Sequence, residues 1–524
     1  MALDLNALPD DAAALKKMLS EYYSENCQLR DQVEYLKYKL FGRKSEKLTE
    51  AERKQLYLFN EAELGAGEAS EQEPEEKIAV PAHTRTKKRG RKPLPENLPR
   101  ERVVYDIPEE DKQCGCGATK SVIGEEICEK LDIEPPRMKV RQEVRLKYAC
   151  RCCEGVEDEG PTVQIAPVPP AIIPKGMATP SLLAFVFTGK FVDAVPFYRQ
   201  EKQFARLGVE LSRQTLCGWA MQGAQACAPV LGLFRQHMLR GPLVQADETT
   251  LQVLEEVGRA AQTKSYMWLF RGGTPGKPLL EYRYHPTRAG QVAADYLGDY
   301  AGCVQTDGYA GYNFLDKRPG VVHAGCWAHV RREFHDLKKV ASGHGVSPPQ
   351  KAGSADVALG TIRELYAIEH RAKQRGLTGE ALVAERREKA KPILDTFKAW
   401  LDQREREVPP KTLLGKAIAY TLGQWKKLIV YVDHAVLTPD NNLAENAIRP
   451  FVIGRKNWLF SGNAKGASAS AALYSLIETA KANGLEPYRY LRYLFHEVPR
   501  ARTQEDYAAL LPTNLTPEQI SLPV

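Results

Sequence analysis

The stretch LVQADETTLQVLEEV, residues 243–257, begins the part of the chain whose pattern decides the fold. LVQAD (243–247) and TLQVLEEV (250–257) are rich in apolar and β-branched residues and predict strands. AGQVAADYLGDY, residues 289–300, instead has the spacing of a helix. Further strand-like runs are SYMWLF at 265–270, LLEYRY at 279–284, CVQTD at 303–307 and VVHAGC at 321–326.

Three strands, a helix and a further strand is the element order of a ribonuclease-H-like core. The predicted fold class is therefore multidomain α+β, with a ribonuclease-H-like α/β core that residues 241–335 begin and residues 439–495 complete. Residues 336–438 are largely helical in pattern and strongly charged, and they predict a helical insertion. Residues 496–524 are predicted to be a C-terminal tail.

Two of these apolar strands end in an aspartate, Asp247 in LVQAD and Asp307 in CVQTD. A third acid, Glu445, lies in PDNNLAENAIRP (439–450), where Asp440 or Asn441 can cap a helix and place Glu445 in its early turns. A single Asp at a strand end is usually a turn residue. Three converging carboxylates, however, can hold two divalent ions about 3.5–4 Å apart for phosphodiester cleavage. Mg²⁺ or Mn²⁺ suits such oxygen ligands.

Composition sets limits on these hypotheses. The chain has 524 residues, with 73 Lys and Arg against 66 Asp and Glu, so its net charge is only +7. This small excess excludes a histone-like or wholly disordered basic protein, and any anion-binding role requires local clusters of charge. There is no apolar run long enough for a transmembrane helix, and the first residues lack a signal-peptide pattern. We therefore expect a cytoplasmic protein with no membrane partner.

The N-terminal region, residues 1–60, carries a heptad pattern that predicts a coiled coil. One polar position, Asn26, interrupts the apolar seam, as in many parallel dimers. The alternative is an amphipathic helix packed on its own chain. The heptad positions are Leu15, Leu19, Tyr22, Asn26, Leu29, Val33, Leu36 and Leu40.

Residues 61–100 combine an acidic linker with a basic arm. Seven glutamates lie within residues 61–76, and six Lys or Arg lie between Arg85 and Lys92. The arm contains Arg89, Gly90, Arg91 and Lys92, followed by a proline. A glycine flanked by arginines can enter a narrow minor groove, so the arm resembles an AT-hook. The alternative is a basic linker that only balances the acidic one.

Residues 101–160 are predicted to be a zinc-binding module. Two cysteine pairs about 35 residues apart can supply four thiolates to a tetrahedral Zn²⁺. The first pair has only one intervening residue, which departs from the usual two. Reduced structural cysteines are the alternative. The four proposed ligands are Cys114, Cys116, Cys150 and Cys153.

Residues 176–235 predict a helix-turn-helix. Helices are expected at 181–191 and 196–207, and a third begins after a Ser212 cap with Arg213 and Gln214 in its first turn. Such a third helix could enter a major groove, although helical hairpins are also common in proteins that do not bind DNA.

Several further residues are candidates for chemistry or DNA contact. Cys326 and His329 form a Cys-x-x-His element that either binds metal or packs in the core, with Trp327 expected to be buried. Arg331 and Arg332 follow on the same predicted helix and either contact DNA or face solvent. Arg449, one turn after Glu445, could touch a phosphate. Arg455, Lys456 and Lys465 are predicted to lie in a glycine-rich loop that binds phosphates.

These segments together resemble the transposases of the insertion-sequence-66 family, which belong to the Asp-Asp-Glu group. The resemblance extends over almost the whole chain. It is carried by YACRCCEG, IIPKGMATPSLLAFVFTGKFVD, FYRQEKQFARLGVELSRQTL, QADET, QTDGYAGY, AGCWAHVRREF, DNNLAENAIRP, IGRKNWLFSG and YSLIETAKANG.

The resemblance implies that Asp247, Asp307 and Glu445 are the catalytic triad and bind two Mg²⁺ or Mn²⁺ ions. It also implies a structural Zn²⁺ in the cysteine module and an insertion within the 137 residues between Asp307 and Glu445. The implied partners are inverted terminal repeats, target DNA, a second copy of the chain in a dimer or larger synaptic complex, and companion proteins from the same element. The implied location is the bacterial nucleoid.

The expected function is DNA strand cleavage at the ends of the element, followed by strand transfer. A catalytically inactive or domesticated DNA-binding regulator is the alternative, since the zipper, arm, zinc module and helix-turn-helix would suffice for binding. A metal-dependent nuclease that only cuts is a third hypothesis.

Overall fold

The computed structural model describes residues 163–342 and 353–521 without a break, together with 137–149 and short stretches or single positions between residues 11 and 130. The heptad positions of the predicted coiled coil, the acidic linker, the basic arm and the four proposed zinc ligands lie outside the described residues. The chain divides into two compact units, one formed by residues 69–166 and the other by the rest of the chain.

Among its described residues, the smaller unit has one antiparallel strand pair, β1 (Lys147–Ala149) and β2 (Val163–Ile165). Both strands are exposed. The Arg145 Nε donates to the carbonyl of Ala166 at 2.7 Å and fastens the end of the pair.

The segment of the larger unit that starts at residue 167 begins with four helices, and the first three confirm the helices predicted from sequence. The Thr179 hydroxyl accepts from the Leu182 N–H at 3.3 Å, with proline at the first helical position, and Ser212 caps the third helix through the Thr215 N–H at 3.2 Å. The helices are α1 (Pro180–Phe191), α2 (Phe197–Arg206), α3 (Arg213–Ala226) and α4 (Ala228–Met238).

A mixed sheet in the order β5-β4-β3-β6-β7 forms the centre of this unit. The pairs β3–β4 and β4–β5 are antiparallel, whereas β6 runs parallel to β3 and β7 runs parallel to β6. The helix α5 (Gly290–Leu297) connects β5 to β6. The strands are β3 (Leu243–Glu255), β4 (Lys264–Thr274), β5 (Lys277–His285), β6 (Gly302–Gln305) and β7 (Val321–Ala324).

The prediction of separate strands at 243–247 and 250–257 is wrong, because β3 is one continuous strand of 13 residues. Paired residues from Gln245 to Gln252 face β4 without interruption, so Glu248 and Thr249 take part in the ladder. The far end of β3 also pairs with a short strand, β8 (Ser461–Asn463). The polar residues Glu248 and Thr249 interrupt the apolar pattern in the sequence, but β4 pairs with their backbone groups.

The insertion predicted between Asp307 and Glu445 is helical. Its interior is built around three aromatic side chains: Trp327 lies 6.0 Å from Trp425 and 6.3 Å from Phe397, measured between ring centroids. The helices are α6 (Trp327–Ser342), α7 (Ser354–Gln374), α8 (Gly379–Glu407) and α9 (Leu413–Leu428), followed by a 3-10 turn at Val430–Asp433.

The C-terminal helices close the core and join it to the first four helices. The Tyr282 N–H donates to the Ser475 hydroxyl at 2.8 Å, which seats α11 on β5, and the Phe187 and Phe495 rings of α1 and α12 meet edge to face at 5.7 Å. These elements are α10 (Asn442–Trp458), α11 (Ala464–Ala482), α12 (Pro487–Glu497) and α13 (Gln504–Ala509).

Two predictions for this region are wrong. Arg455 and Lys456 lie in the last turn of α10, and Lys465 lies in the first turn of α11, so they do not form a glycine-rich loop. Residues after 495 do not form a simple tail, because Leu511 and Ile520 are buried against the core. Among the described residues, no helix is long and apolar enough to cross a membrane.

Candidate functional site

Asp247, Asp307 and Glu445 come together beside the central sheet from three different elements. Asp247 lies within β3, Asp307 lies two residues after β6, and Glu445 lies in the first turn of α10. Burial and the neighbouring carboxylates of Glu248, Glu445 and Asp307 raise the pKa of Asp247 well above its ordinary value. Asp247 does not end a strand as predicted, since β3 continues to Glu255.

A buried glutamine pair aligns the two strands that carry the aspartates. Gln245 Nε2 donates to Gln305 Oε1 at 2.9 Å, and Gln305 Nε2 donates to the carbonyl of Thr438 at 2.7 Å. The pair therefore ties β3 to β6 and both to the segment that leads into α10. Sequence reasoning missed these residues, although the repeated pattern of Gln two positions before each Asp was a visible signal.

The turn after β6 holds Asp307 in place. Asp307 Oδ1 accepts from the Tyr309 N–H at 3.0 Å. The residue between them, Gly308, packs directly against the ring and hydroxyl of Tyr420, where a Cβ atom would collide. A side chain at position 308 would therefore force either the Asp307 turn or the Tyr420 ring to move.

Glu248 is a fourth acid that sequence reasoning missed. Its side chain is 1% exposed, and its oxygens are held by the Arg288 guanidinium at 2.6 Å and by the Tyr312 hydroxyl. Burial raises the pKa of Glu248 above its ordinary value. Because Tyr312 follows Asp307 along the chain, Glu248 joins β3 to the Asp307 turn. The feature of the sequence that could have identified Glu248 is its position directly after Asp247 in QADET.

The start of α10 is anchored directly beside Asp247. The buried Asn441 donates from Nδ2 to the carbonyl of Ala246 at 3.0 Å, and its backbone N–H donates to Cys326 Sγ at 3.2 Å. The side chain of Asn441 does not cap the helix. Asp440 does so instead, by accepting from the Asn442 N–H at 3.1 Å.

The helix α6 supplies the partners of Glu445. Arg332 Nη2 lies 3.2 Å from Glu445 Oε2, and His329 Nδ1 lies 3.4 Å from Glu445 Oε1. Arg332 therefore faces the candidate site. Trp327 is fully buried, as predicted, and donates from Nε1 to the carbonyl of Leu428 at 2.9 Å.

Of the other predicted DNA-contact residues that the structure describes, most are exposed and one, Arg455, contacts the sheet. Arg213 and Gln214 are exposed in the first turn of α3, while Arg449 and Lys456 are exposed on α10. Arg455 instead lies against β3, where its guanidinium donates to the hydroxyls of Thr249 and Thr250 at 3.1 Å each.

Replacing Asp247 with Asn is expected to stabilise the protein in the presence of a chelator. Because the folded-state pKa of Asp247 is raised, the folded protein binds more protons than the unfolded chain between the ordinary and the raised pKa. The free energy of unfolding therefore falls as pH rises through this interval and stays lower at every higher pH. The loss is about 1.4 kcal/mol when the folded-state pKa exceeds the ordinary value by one. Thermal melts at pH 8 with EDTA should give a higher Tm for Asp247→Asn, and a lower Tm would contradict the electrostatic cost.

Four family models match the chain. The model described as "Transposase IS66 family" matches residues 175–469, and the "IS66 C-terminal element" matches 475–513. The "zinc-finger binding domain of transposase IS66" matches 111–154, and a model described as "Transposase C of IS166 homeodomain" matches 28–103. The matches thus extend over nearly the whole chain.

Relatives of similar length occur in Sinorhizobium fredii (strain NBRC 101917 / NGR234). The uncharacterized protein y4jD is 31% identical over 99% of both chains. The uncharacterized protein y4qI is 30% identical over 98% of this chain and 94% of its own length.

Proposed function

Because this chain belongs to the IS66 family of transposases, we propose that it cuts DNA at the inverted terminal repeats of its own element and joins the freed ends to target DNA. The observation that carries this proposal is the convergence of Asp247, Asp307 and Glu445, which lie far apart in the sequence, beside one mixed sheet. We assign these three residues as the catalytic acids.

The topology of the sheet supports a ribonuclease-H-like core. Three antiparallel strands are followed by a helix and two strands parallel to the first, in the order β5-β4-β3-β6-β7. Asp247 lies in the first strand, Asp307 lies two residues after the strand parallel to it, and Glu445 lies in a late helix. A long helical insertion separates the second acid from the third without interrupting this sheet.

The donor atoms of the site fit Mg²⁺ or Mn²⁺, because three carboxylates offer oxygen ligands and Asp247 is buried among like charges that a cation would relieve. When bound, a pair of such ions supplies charge stabilisation for the attacking and leaving oxygens of an in-line displacement. The residues of the chain position these carboxylates: the glutamine pair aligns β3 with β6, and Asn441 holds α10 against Ala246.

Two displacements would occur in turn at this site. In the first, water attacks the phosphodiester at the end of the element and releases a 3′-hydroxyl. In the second, that hydroxyl attacks a phosphodiester of the target, and the bond between the target phosphorus and its leaving oxygen breaks. No side chain of the triad becomes covalently linked to DNA.

DNA recognition is assigned to segments outside the acidic site. The first turn of α3 exposes Arg213 and Gln214 and suits a major groove, so α2 and α3 would act as a helix-turn-helix. The cysteine module with a structural Zn²⁺ and the arm from Arg85 to Lys92 would add contacts. A dimer formed through the N-terminal heptads would bring two element ends together, with companion proteins from the same element in the complex.

The test is an assay on labelled DNA that carries the element's terminal repeats, with Mg²⁺ or with EDTA. The wild-type protein is expected to give cut and joined products only with Mg²⁺. Asp247→Ala is expected to bind the same DNA without cutting it. Full activity of Asp247→Ala would overturn the assignment of the catalytic acids.

The same assay separates the other two hypotheses. A regulator would bind the terminal repeats equally well with Mg²⁺ and with EDTA, and it would give no cut product in either case. A nuclease would give cut ends that never appear in joined products. The observed clustering of three acids favours the enzyme over the regulator, because a DNA-binding role alone does not require a buried carboxylate beside other acids.

Deleting Arg85–Lys92 is expected to reduce the salt dependence of DNA binding. Each phosphate contact contributes about 0.9 to the slope of log affinity against log salt, so an arm that makes several contacts should make the slope markedly shallower. Binding titrations from low to moderate salt measure this slope for the deletion and for the full chain. An unchanged slope would contradict the assignment of the arm to DNA.

A further inference from the structure

Cys326, immediately before α6, and His329, in the first turn of α6, lie beside the carboxylate of Glu445. Cys326 Sγ lies 3.8 Å from Glu445 Oε1, and His329 Nδ1 lies 3.4 Å from the same oxygen. All three candidate ligand atoms lie within 4.8 Å of one another. Among the described residues, this is the one group of three Cys, His, Asp or Glu side chains whose ligand atoms all lie this close together, so the ligand atoms of Asp247, Asp307 and Glu445 are more widely separated.

These distances match a tetrahedral zinc site. Bonds of about 2.3 Å to sulfur, 2.0 Å to nitrogen and 2.1 Å to oxygen place the sulfur about 3.6 Å and the nitrogen about 3.4 Å from the oxygen. The observed separations of 3.8 and 3.4 Å differ from these values by a few tenths of an ångström at most. The three side chains therefore need little movement to bind one ion.

The polar groups of the cluster are also incompletely satisfied. His329 Nδ1 is buried and has no hydrogen-bond partner of normal geometry, although it faces Glu445. The backbone N–H groups of Asn441 and His329 are directed at Cys326 Sγ, the former at 3.2 Å. Burial and the carboxylates of Glu445 and Asp440 raise the pKa of the Cys326 thiol, and a bound cation would offset both effects in the thiolate form that binds metal.

We propose that Cys326, His329 and Glu445 bind a thiophilic divalent ion such as Zn²⁺, with water as a fourth ligand. Sulfur and nitrogen ligands select Zn²⁺ over Mg²⁺, which requires oxygen. On binding, the Cys326 thiol loses its proton to solvent, and sulfur, nitrogen and oxygen each donate an electron pair to the ion.

Occupation of this site has a consequence that rests on the proposed function. Glu445 Oε2 is already paired with Arg332, and zinc would take Oε1, so both oxygens would be directed toward α6. Glu445 would then be held in its present orientation and could not share a metal ion with Asp247 and Asp307. Zn²⁺ is therefore an inhibitor that competes with Mg²⁺ for a shared carboxylate.

Binding is tested on the full chain by titrating Zn²⁺ in competition with a fluorescent zinc indicator. Cys326→Ala is expected to lose about one equivalent of zinc relative to wild type, or to bind it at least about 100-fold more weakly, since even outer-shell changes cost 10–100-fold. His329→Gln should show the same loss, which guards against a folding defect in one variant. Cys303→Ala removes another buried cysteine, on β6 and outside the cluster, and should keep the wild-type count.

Zinc stoichiometries that are unchanged in both Cys326→Ala and His329→Gln would overturn the site.

The competition between Zn²⁺ and Mg²⁺ is tested separately, by adding Zn²⁺ to Mg²⁺-dependent cleavage. For each variant, the zinc concentration that halves its own zinc-free cleavage rate is measured. The competition is supported if wild type and Cys303→Ala are inhibited at similar zinc concentrations and Cys326→Ala needs at least about 100-fold more zinc. Zinc that binds without inhibiting overturns the competition. If wild type shows no Mg²⁺-dependent cleavage, the proposed function fails, and the zinc counts still decide the site.

Discussion

Glu445→Gln is expected to lower the rate of strand cleavage by at least about 1,000-fold, equivalent to about 4 kcal/mol of transition-state stabilisation. The substitution preserves the size of the side chain but removes the negative charge that would bind a metal ion. Little stability should be lost, because the partner guanidinium of Arg332 is 57% exposed and solvent screens the ion pair. Single-turnover cleavage under saturating Mg²⁺ measures the rate, and thermal melts measure the stability.

Glu388→Gln is the matched control for this variant. Glu388 lies on α8 in the helical insertion and is exposed, so the same change of charge should leave the cleavage rate within about twofold. A cleavage rate for Glu445→Gln within tenfold of wild type would remove Glu445 from the catalytic acids. DNA binding by both variants should remain, since neither change removes a basic group.

Arg386→Met is expected to lower the free energy of unfolding of the helical insertion by about 3–5 kcal/mol, the usual cost of breaking a buried ion pair. The side chain of Arg386 is 2% exposed and pairs with both oxygens of Glu369 at 2.7 and 2.8 Å. It also donates to three backbone carbonyls, of Tyr431, His434 and Leu437. Methionine fills a similar volume but leaves the Glu369 charge and the three carbonyls without this donor.

The neighbouring residue provides a matched control. Arg387 pairs with Asp433, but both side chains are more than half exposed, so Arg387→Met should change stability by less than about 1 kcal/mol. Urea denaturation followed by tryptophan fluorescence reports on the insertion, which contains Trp327, Trp400 and Trp425. Equal effects of the two substitutions would contradict the role assigned to the buried pair.

Arg386 also connects the insertion to the candidate site. Two of the carbonyls that it holds, those of His434 and Leu437, belong to the segment that leads into α10. Tyr366 of α7 donates to Asp440 at 2.6 Å, and the backbone N–H of Trp327 donates to the carbonyl of Pro439 at 3.0 Å. The insertion therefore holds the entry of α10, and we expect Arg386→Met to impair cleavage as well as stability.

Local patterns predicted the elements of the larger unit well. The caps at Thr179 and Ser212, the helices after them and the order of the core strands depend on interactions between residues close in sequence or on side-chain alternation. The predictions that were wrong concern neighbours in space. The β3 strand continues through Glu248 and Thr249 because β4 pairs with it, and α10 extends through Arg455 because β3 accepts its guanidinium.

The sequence by itself determined the family, the order of the elements and the three candidate acids, because each of these is a property of residue identity and spacing along the chain. Only the tertiary structure decided which groups surround the acids. Glu248, the Gln245–Gln305 pair and the α6 partners of Glu445 act across distances of 60 to 119 residues in sequence. No local periodicity encodes such contacts, since they form only when buried polar groups must find partners between packed elements.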